Sequence, residues 1–319
     1  MIVAFHTNTL FFRGSEAALW DYAVLNESVL GNRSVLCFRE SPELATSPVA
    51  ARWRSRFPVL VYRSRRHLAG QLQEAGASAL YMIKPGPWDG LVVAGVRNCV
   101  HAMYLTEEFH GDSFAFVSRW MSRAATGRED SYVPHFVSRL ESRENHRAQL
   151  GIPTGARVFG RHGAADSFNL PFVRKAVLAH ARRHPQDHFV FLNTNPMDPA
   201  GDTLSNIHHL PATIDPVAKG RFLATCDAMI HAQESGETFG LAIAEFAVLG
   251  KPVITLAKPA TGSHAHLEML RGRGLYYFDQ ASLERILREF TPREVRGTEY
   301  EEYVDPKKVM QLFRGKFLE

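Results

Sequence analysis

The sequence predicts an α/β protein with two Rossmann-like domains, and three observations support this prediction. Its 319 residues suit two domains of about 150 residues each. Short apolar runs that end in polar residues alternate with helix-forming segments, which is typical of parallel sheets. The pattern of strand, glycine-containing turn and helix begins at residue 2 and begins again near residue 157, after a turn-rich linker over residues 151–156.

The first half of the chain contains six apolar runs with the length of strands. They cover residues 2–5, 34–38, 59–62, 79–83, 99–103 and 115–118. We expect helices over residues 17–30 and near 67–75, and a charged helix over residues 141–150. The turn before the first helix lacks a Gly-x-Gly-x-x-Gly fingerprint, so the sequence does not support dinucleotide binding.

A cluster of arginines lies between residues 52 and 66, with aromatic residues interleaved and no acid among them. It consists of Arg52, Arg54, Arg56, Arg63, Arg65 and Arg66. Arginines and aromatic rings together can hold an anionic polymer by charge and stacking. The alternative is a solvated basic helix end beside a strand, and the sequence leaves both interpretations open.

The second half repeats the alternation of strands and helices. We expect strands over residues 157–161, 188–192, 206–210, 227–231, 251–256 and 275–278. Helices are predicted over residues 171–183, 217–224, 239–249, 283–290 and 306–317.

Composition excludes several classes of protein. The hydrophobic content of 45% and charged content of 22% are ordinary for a soluble globular protein, and no apolar run reaches the length of a membrane span. The first residues lack the basic start of a signal peptide. Three cysteines far apart in sequence predict neither a disulfide framework nor a zinc site, so we expect a cytoplasmic protein. A net charge of +4 does not by itself establish a nucleic-acid partner.

Two carboxylates mark the stretch with the clearest chemistry. Glu237 precedes an apolar helix, and Glu245 lies about two turns later near the same helix face. The start of this helix offers N–H groups to an anion such as a diphosphate, while carboxylates accept hydrogen bonds from sugar hydroxyls. The alternative is a helix cap at Glu237 and a solvated charge at Glu245. However, a charge on an apolar helix needs a partner, and the pattern favours a nucleotide-sugar site.

This Glu-x7-Glu spacing, with Phe239-Gly240 inside it and Gly-Lys-Pro-Val-Ile after it, resembles the motif of GT4-type retaining glycosyltransferases. The resemblance implies the GT-B fold, in which two Rossmann-like domains face each other across a cleft. It implies that Glu237 contacts the donor sugar and that Glu245 binds the ribose hydroxyls. The N–H groups of Thr238, Phe239 and Gly240 would then face the phosphates and the sugar.

The resemblance also assigns the domains. Residues 1–140 would form the acceptor-side domain, residues 151–300 the domain that binds the nucleotide-sugar, and residues 301–319 a helix that returns to the first domain. In this fold His101, after a strand, would face the reacting sugar, although a histidine satisfied inside the core is the alternative.

Further residues match the phosphate-binding part of the family pattern. Arg161 corresponds to the arginine that binds the donor diphosphate, but Ser167 replaces the lysine that usually follows it. His162 and the backbone of Gly163 are candidates to compensate for this lysine. At the first turn, only Gly14 matches the usual glycine pair, and Arg13 before it is either a bidentate phosphate donor or a solvated loop charge.

The sequence thus predicts a glycosyltransferase that uses a nucleoside diphosphate sugar as co-substrate and needs no cofactor. The absence of an Asp-x-Asp triplet and of a ligand cluster with metal spacing disfavours a metal-dependent transfer. The acceptor is undefined, and an anionic polymer such as DNA is one candidate. Two alternatives stay open: a GT-B sugar epimerase or phosphorylase, and a non-catalytic protein that binds a nucleotide-sugar.

Overall fold

The computed structural model describes residues 1–8, 12–42, 46–198, 203–259 and 262–319. The chain divides into two compact units. Unit 1 comprises Met1–Phe136 and Asp305–Glu319, and unit 2 comprises Val137–Val304. Each unit contains one six-stranded sheet whose strands all pair in parallel, so the predicted α/β class with two Rossmann-like domains is confirmed.

The sheet of unit 1 has the strand order β3-β2-β1-β4-β5-β6. Its strands are β1 (Ile2–Thr7), β2 (Arg33–Arg39), β3 (Val59–Tyr62), β4 (Ala79–Lys84), β5 (Arg97–Ala102) and β6 (Ser113–Phe116). The helices are α1 (Gly14–Ser28), α2 (Pro48–Arg54), α3 (Arg65–Glu74) and α4 (Arg119–Thr126). After β1 the chain adds β2 and β3 on one side of the sheet, and after β4 it adds β5 and β6 on the other side. A topological switch point therefore lies between β1 and β4. Ligands of such sheets bind outside the carboxyl ends of the strands at this point.

Unit 2 repeats this topology with the order β14-β12-β10-β7-β8-β9, which places its switch point between β7 and β10. Its strands are β7 (Val158–Arg161), β8 (His188–Leu192), β9 (Ile207–Leu210), β10 (Ala228–Ile230), β12 (Val253–Leu256) and β14 (Leu275–Tyr277). A separate pair consists of β11 (Gly236–Glu237) and β13 (Ser263–His264). The helices are α5 (Pro171–Arg183), α6 (Pro216–Thr225), α7 (Leu241–Val248), α8 (Ala265–Met269), α9 (Gln280–Glu289) and a 3₁₀ helix (Glu299–Tyr303).

The end of the chain belongs to unit 1. Helix α10 (Pro306–Phe313) continues into a π-helical turn, Arg314–Leu318. The ring of Phe313 lies 5.0 Å from that of Tyr81 and 5.1 Å from that of Tyr22, centroid to centroid, and all three side chains are buried. This segment therefore completes the core of unit 1. Among the described residues, no helix combines the length and apolar composition needed to cross a membrane.

The expected helix over residues 141–150 is wrong, because this segment forms turns. Its side chains bind the local backbone instead: Ser142 Oγ accepts from the N–H of Glu144 at 3.2 Å, and Asn145 Oδ1 accepts from the N–H of Arg147 at 2.9 Å. Such contacts compete with helix formation, and a segment charged all round has no apolar face that packing could stabilise. Helix α2, which begins at Pro48 after the N-cap residue Ser47, was anticipated only as the basic helix end that the arginine cluster left open.

Candidate functional site

Charged and polar side chains collect at the switch point of unit 2. Arg161 is the last residue of β7, and His231 follows the last residue of β10, the neighbouring strand. Because the carboxyl ends of parallel strands meet at one edge of a sheet, these two residues and the loops after them share that edge.

Arg161 is buried, with 3% of its surface exposed. Its Nη1 donates to Thr194 Oγ1 at 2.6 Å and to the Asn193 carbonyl at 3.2 Å. Its Nη2 donates to the Ala164 carbonyl at 2.7 Å and to Ser167 Oγ. Within the described residues, these hydrogen-bond partners are all neutral. The protein therefore fixes the guanidinium in place without cancelling its charge.

The charge of Arg161 survives its burial. Burial lowers the pKa of the guanidinium to about 10, while nearby Glu237 and Asp166 act in the opposite direction. The group is therefore protonated at neutral pH. Glu237 is therefore close enough to Arg161 to affect its pKa, while their shared role in one site stays a prediction.

The backbone at Gly163 runs close to this guanidinium. Gly163 has a φ of +145°, and a Cβ added there would lie 3.2 Å from Nη2 of Arg161. Its carbonyl accepts a hydrogen bond from Asn193 Nδ2 at 2.8 Å. A side chain at position 163 would therefore be strained and would crowd Arg161.

Glu237 lies in β11 and its side chain is 31% exposed. Its Oε1 lies 3.1 Å from His231 Nε2, and the other ring nitrogen of His231 lies 2.9 Å from Thr255 Oγ1. The backbone N–H of Glu237 donates to His266 Nδ1 at 3.3 Å. Contacts on both sides thus orient the carboxylate, while part of it stays accessible to a ligand.

Glu245 lies on α7 and is not a solvated helix charge, since only 3% of its surface is exposed. Its Oε1 accepts from Lys219 Nζ at 2.6 Å, and its Oε2 lies 3.0 Å from His162 Nε2. Burial raises the pKa of this carboxyl, but Lys219 and His162 outweigh it and lower the pKa to about 2. Glu245 is therefore an ionised, buried hydrogen-bond acceptor.

Helix α7 begins at Leu241, directly after Gly240, whose φ is +80°. No side chain of the described residues caps this helix, and the first N–H groups of any helix lack intrahelical partners. Phe239 is buried and its carbonyl accepts from Tyr300 Oη at 2.6 Å, while Thr238 is half-buried. The uncapped helix start is compatible with the predicted anion site, and the binding of an anion or phosphate there stays a prediction.

His101 lies in β5 of unit 1 and is fully buried. Its Nδ1 lies 2.6 Å from Tyr81 Oη, and its Nε2 lies 2.9 Å from the carbonyl of Val133. Burial lowers the pKa of the ring to about 4. This is the environment of a core histidine, and it does not support the predicted contact between His101 and a reacting sugar.

Arg13 and Gly14 lie at the start of α1 in unit 1, and both are exposed. Arg13 occupies the N-cap position and Gly14 is the first helical residue. Their role in binding donor phosphates stays a prediction.

The arginine cluster of unit 1 is partly neutralised. Arg56 pairs with Glu27 at 2.5 Å, and Arg63 pairs with Glu40 at 2.8 Å. The guanidinium of Arg52 lies 4.0 Å from the ring centre of Trp20. The other members of the cluster are Arg54, Arg65 and Arg66, which are exposed. Acids that are distant in sequence, which the local pattern could not show, therefore weaken the attraction of this surface for a polyanion.

Comparison with known proteins gives matches at the level of structure. No family model and no curated protein matches the chain. Among solved structures, HepE from Anabaena in complex with UDP and glucose has a TM-score of 0.64 and 15% identity, over 99% of this chain and 95% of that one. UDP-GlcNAc 2-epimerase from Neisseria meningitidis bound to UDP-GlcNAc has a TM-score of 0.62 and 12% identity, over 99% of this chain and 100% of the epimerase chain. AviGT4, a glycosyltransferase involved in avilamycin A biosynthesis, has a TM-score of 0.58 and 15% identity, over 100% of this chain and 97% of the AviGT4 chain.

At such low identity these likenesses establish the fold alone. The two parallel-sheet Rossmann-like domains of this chain match those of GT-B proteins, which include both glycosyltransferases and sugar epimerases. The GT-B fold implied by the Glu-x7-Glu resemblance is therefore supported, while membership of the GT4-type group stays a prediction.

Sequence reasoning missed several residues of the site. Lys219 on α6 pairs with Glu245, yet nothing in the sequence of α6 distinguishes it from a solvated lysine. Thr194 and His231 contact Arg161 and Glu237, respectively. Both follow the ends of strands, and that position at the carboxyl edge of a parallel sheet was the one available signal.

Proposed function

We propose that this protein is an enzyme that binds a nucleoside diphosphate sugar in unit 2 and transfers the sugar to an acceptor. The observation that carries the proposal is Glu245, a buried carboxylate kept ionised by Lys219 and His162 at the switch point of the sheet. Ionised groups are costly to bury, so a buried acceptor beside His162, the residue that follows Arg161, indicates a built site for a polar ligand.

The roles follow from the chemistry of each group. The diphosphate lies against Arg161 and the start of α7, where a fixed guanidinium and the N–H groups of the first helical turn favour negative charge. Glu245 accepts hydrogen bonds from the ribose hydroxyls, and the half-exposed Glu237 accepts them from the sugar. Gly163 lets the backbone approach the phosphates because it carries no side chain.

In the transfer, the bond between the anomeric carbon of the sugar and the diphosphate oxygen breaks. A new bond forms to a hydroxyl oxygen of the acceptor, whose proton leaves with the nucleoside diphosphate or with solvent. Arg161, held in advance by neutral partners, stabilises the negative charge that develops on the leaving group. Ser167, in place of the family's lysine, adds no cation but binds Arg161. Retention of configuration and independence of metal stay predictions, which product NMR and addition of EDTA would test.

A thermal-shift screen of nucleotide-sugars against the wild type and Glu245→Ala tests the proposal. We use UDP-sugars first, because HepE and the Neisseria epimerase were solved with UDP and UDP-GlcNAc, respectively. A ligand at a hundred times its Kd stabilises a protein by about 2.7 kcal/mol. We expect one donor to raise the Tm of the wild type and to leave that of the variant unchanged. Equal stabilisation of both proteins would contradict the role of Glu245.

Epimerisation of the donor is the second candidate, because the Neisseria epimerase aligns over its whole length with 99% of this chain. Incubation of the donor alone, followed by ¹H NMR, separates the two reactions. An epimerase converts the donor to its epimer without an acceptor, whereas a transferase leaves the sugar configuration unchanged or slowly hydrolyses the donor. Donor binding with neither outcome, in the presence of a broad acceptor panel, would favour a non-catalytic binding protein.

Transfer to an anionic polymer such as DNA is a narrower form of the proposal. The arginine cluster motivates it, but the pairs of Arg56 with Glu27 and of Arg63 with Glu40 weaken it. Binding to duplex DNA that falls steeply with salt, and that is lost in Arg54→Glu/Arg66→Glu, would support it. Absence of binding at low salt would end it.

A further inference from the structure

Unit 1 carries a second polar cluster at the place that corresponds to the candidate site of unit 2. His6 lies near the end of β1 and Lys84 is the last residue of β4, the two strands that flank the switch point of unit 1. Tyr62 ends β3, and Asp89 lies in the loop that follows β4. We name these four residues the unit 1 cluster.

The members of the unit 1 cluster form two close pairs. His6 Nε2 lies 2.7 Å from Tyr62 Oη, and Lys84 Nζ donates to Asp89 Oδ1 at 2.7 Å. His6, Tyr62 and Lys84 are buried, with Lys84 only 1% exposed, whereas the Asp89 side chain is 32% exposed. A buried lysine at the carboxyl end of an otherwise apolar strand is costly, so its position needs a functional or structural reason.

The unit 1 cluster has unused hydrogen-bonding capacity. Nδ1 of the fully buried His6 has no partner among the described residues. Within the part of the chain that the structure describes, the Asp89 carboxylate accepts from Lys84 Nζ and from the backbone N–H of Leu91, in both cases through Oδ1. Since nearly all buried polar atoms of proteins have a partner, the free His6 nitrogen indicates a ligand or a bound water at this point.

The charges of the unit 1 cluster select the kind of ligand. Burial lowers the pKa of His6 to about 4, with a smaller opposing effect of Asp89, so the ring is neutral near pH 7. The pKa of Asp89 is lowered although burial acts to raise it, because Lys84 binds the carboxylate. An added anion would meet the carboxylate of Asp89, while the charge of Lys84 is already compensated. A hydroxyl can donate to Asp89, and it can pair with His6 in either tautomer.

Exposed aromatic rings lie in the loops after β4 and β5, and the first of these loops carries Asp89. Trp88, directly before Asp89, is 50% exposed, and Tyr104 and Phe109 in the loop after β5 are at least as exposed. The loops after β4 and β5 run side by side, since the N–H of Tyr104 donates to the Pro85 carbonyl at 2.8 Å. Large aromatic side chains left exposed at a strand end are typical of ligand grooves, and their flat faces can cover the C–H groups of a sugar ring.

We propose that the unit 1 cluster binds a neutral sugar or polyol, whose hydroxyl groups pair with Asp89 and His6 while its ring lies against Trp88. This ligand would be the acceptor of the proposed transfer, and that role, unlike the binding itself, rests on the proposed function. The unit 1 cluster therefore favours a small hydroxyl-bearing acceptor over a polyanion held by the arginine cluster.

Saturation-transfer NMR on the full chain tests this proposal. The probes are the methyl glycosides of glucose, galactose and mannose, with myo-inositol as a polyol and inorganic phosphate as an anion. We expect at least one neutral probe to bind the wild type. Loss of a hydrogen bond to a charged group should weaken its binding about tenfold or more in Asp89→Asn. Trp88→Ala, at an exposed position, should weaken the same probe without affecting folding.

Lys84→Met/Asp89→Asn serves as a third variant, because it removes both partners of the pair together and leaves no unpaired buried charge. UDP binding, measured in parallel, reports on unit 2. Unchanged probe binding in all three variants would overturn the proposal. It would also be overturned if the wild type bound phosphate alone or none of the neutral probes. If the probes bind as expected but UDP does not, the proposed function fails while the sugar site stands.

Discussion

Replacing Glu245 with glutamine should change how the stability of the protein depends on pH, because the buried carboxylate of Glu245 is ionised. Its folded-state pKa of about 2 lies below the ordinary value of 4.5 for a glutamate side chain. Because the folded-state pKa is the lower one, the carboxylate stabilises the fold fully above about pH 5, and this stabilisation is lost as the pH falls toward 2. Glutamine keeps the shape of the side chain but cannot ionise, so the variant lacks this part of the pH dependence.

The pKa of Glu245 in the structure gives the size of this contribution to stability. A pKa that falls from 4.5 to about 2 corresponds to about 3 kcal/mol of stability at neutral pH. Of this, about 2 kcal/mol is lost between pH 7 and pH 3. We therefore expect the wild type to exceed Glu245→Gln by about 3 kcal/mol at pH 7, and the difference to shrink by about 2 kcal/mol at pH 3.

Urea unfolding at several pH values measures this difference. All four tryptophans, Trp20, Trp53, Trp88 and Trp120, lie in unit 1, so their fluorescence follows unit 1, while hydrogen exchange of the strands around Glu245 follows unit 2. The tryptophan transition is the internal control and should be the same in both proteins. A stability difference in unit 2 that does not vary between pH 7 and pH 3 would refute the ionised, paired state of Glu245.

Three further changes test the site and the fold. Arg161→Met removes the buried guanidinium and should raise the Kd for UDP about 10- to 150-fold by calorimetry, and an unchanged Kd would exclude a phosphate contact. Glu237→Gln should lower turnover of the donor, followed by NMR, more than it weakens UDP binding, because UDP lacks the sugar. Gly160→Ala places a Cβ 2.2 Å from Cys226 Sγ and should lower the free energy of unfolding by about 1–3 kcal/mol. The control, Gly70→Ala, adds a Cβ in open space and should not lower it. Equal Tm values for the two variants would contradict the close packing at Gly160.

The strands were predictable because a parallel strand is buried on both faces and therefore appears as an uninterrupted apolar run. The run over residues 79–83, for example, becomes β4, whose six residues are all buried. Two such series with glycine-containing turns were enough to predict two sheets. The helix over residues 141–150 failed because charge alone gives a helix no face to pack, and its serine and asparagine side chains bind the backbone.

The candidate site was predictable only in outline. The position of Glu245 in an apolar helix indicated that this carboxylate needs a partner, but the partner, Lys219, comes from another helix, 26 residues away in sequence. The environment of His101 likewise depends on residues that are distant in sequence. A histidine after a strand is compatible with a site or with the core, and the contacts with Tyr81 and Val133 that place it in the core depend on packing across unit 1.

A crystal structure of the protein with UDP tests the central claim most directly. We expect the diphosphate beside Arg161 and the start of α7, with the ribose hydroxyls within hydrogen-bond distance of Glu245. UDP bound elsewhere, or bound with Glu245 still in contact with Lys219 and His162 alone, would contradict it.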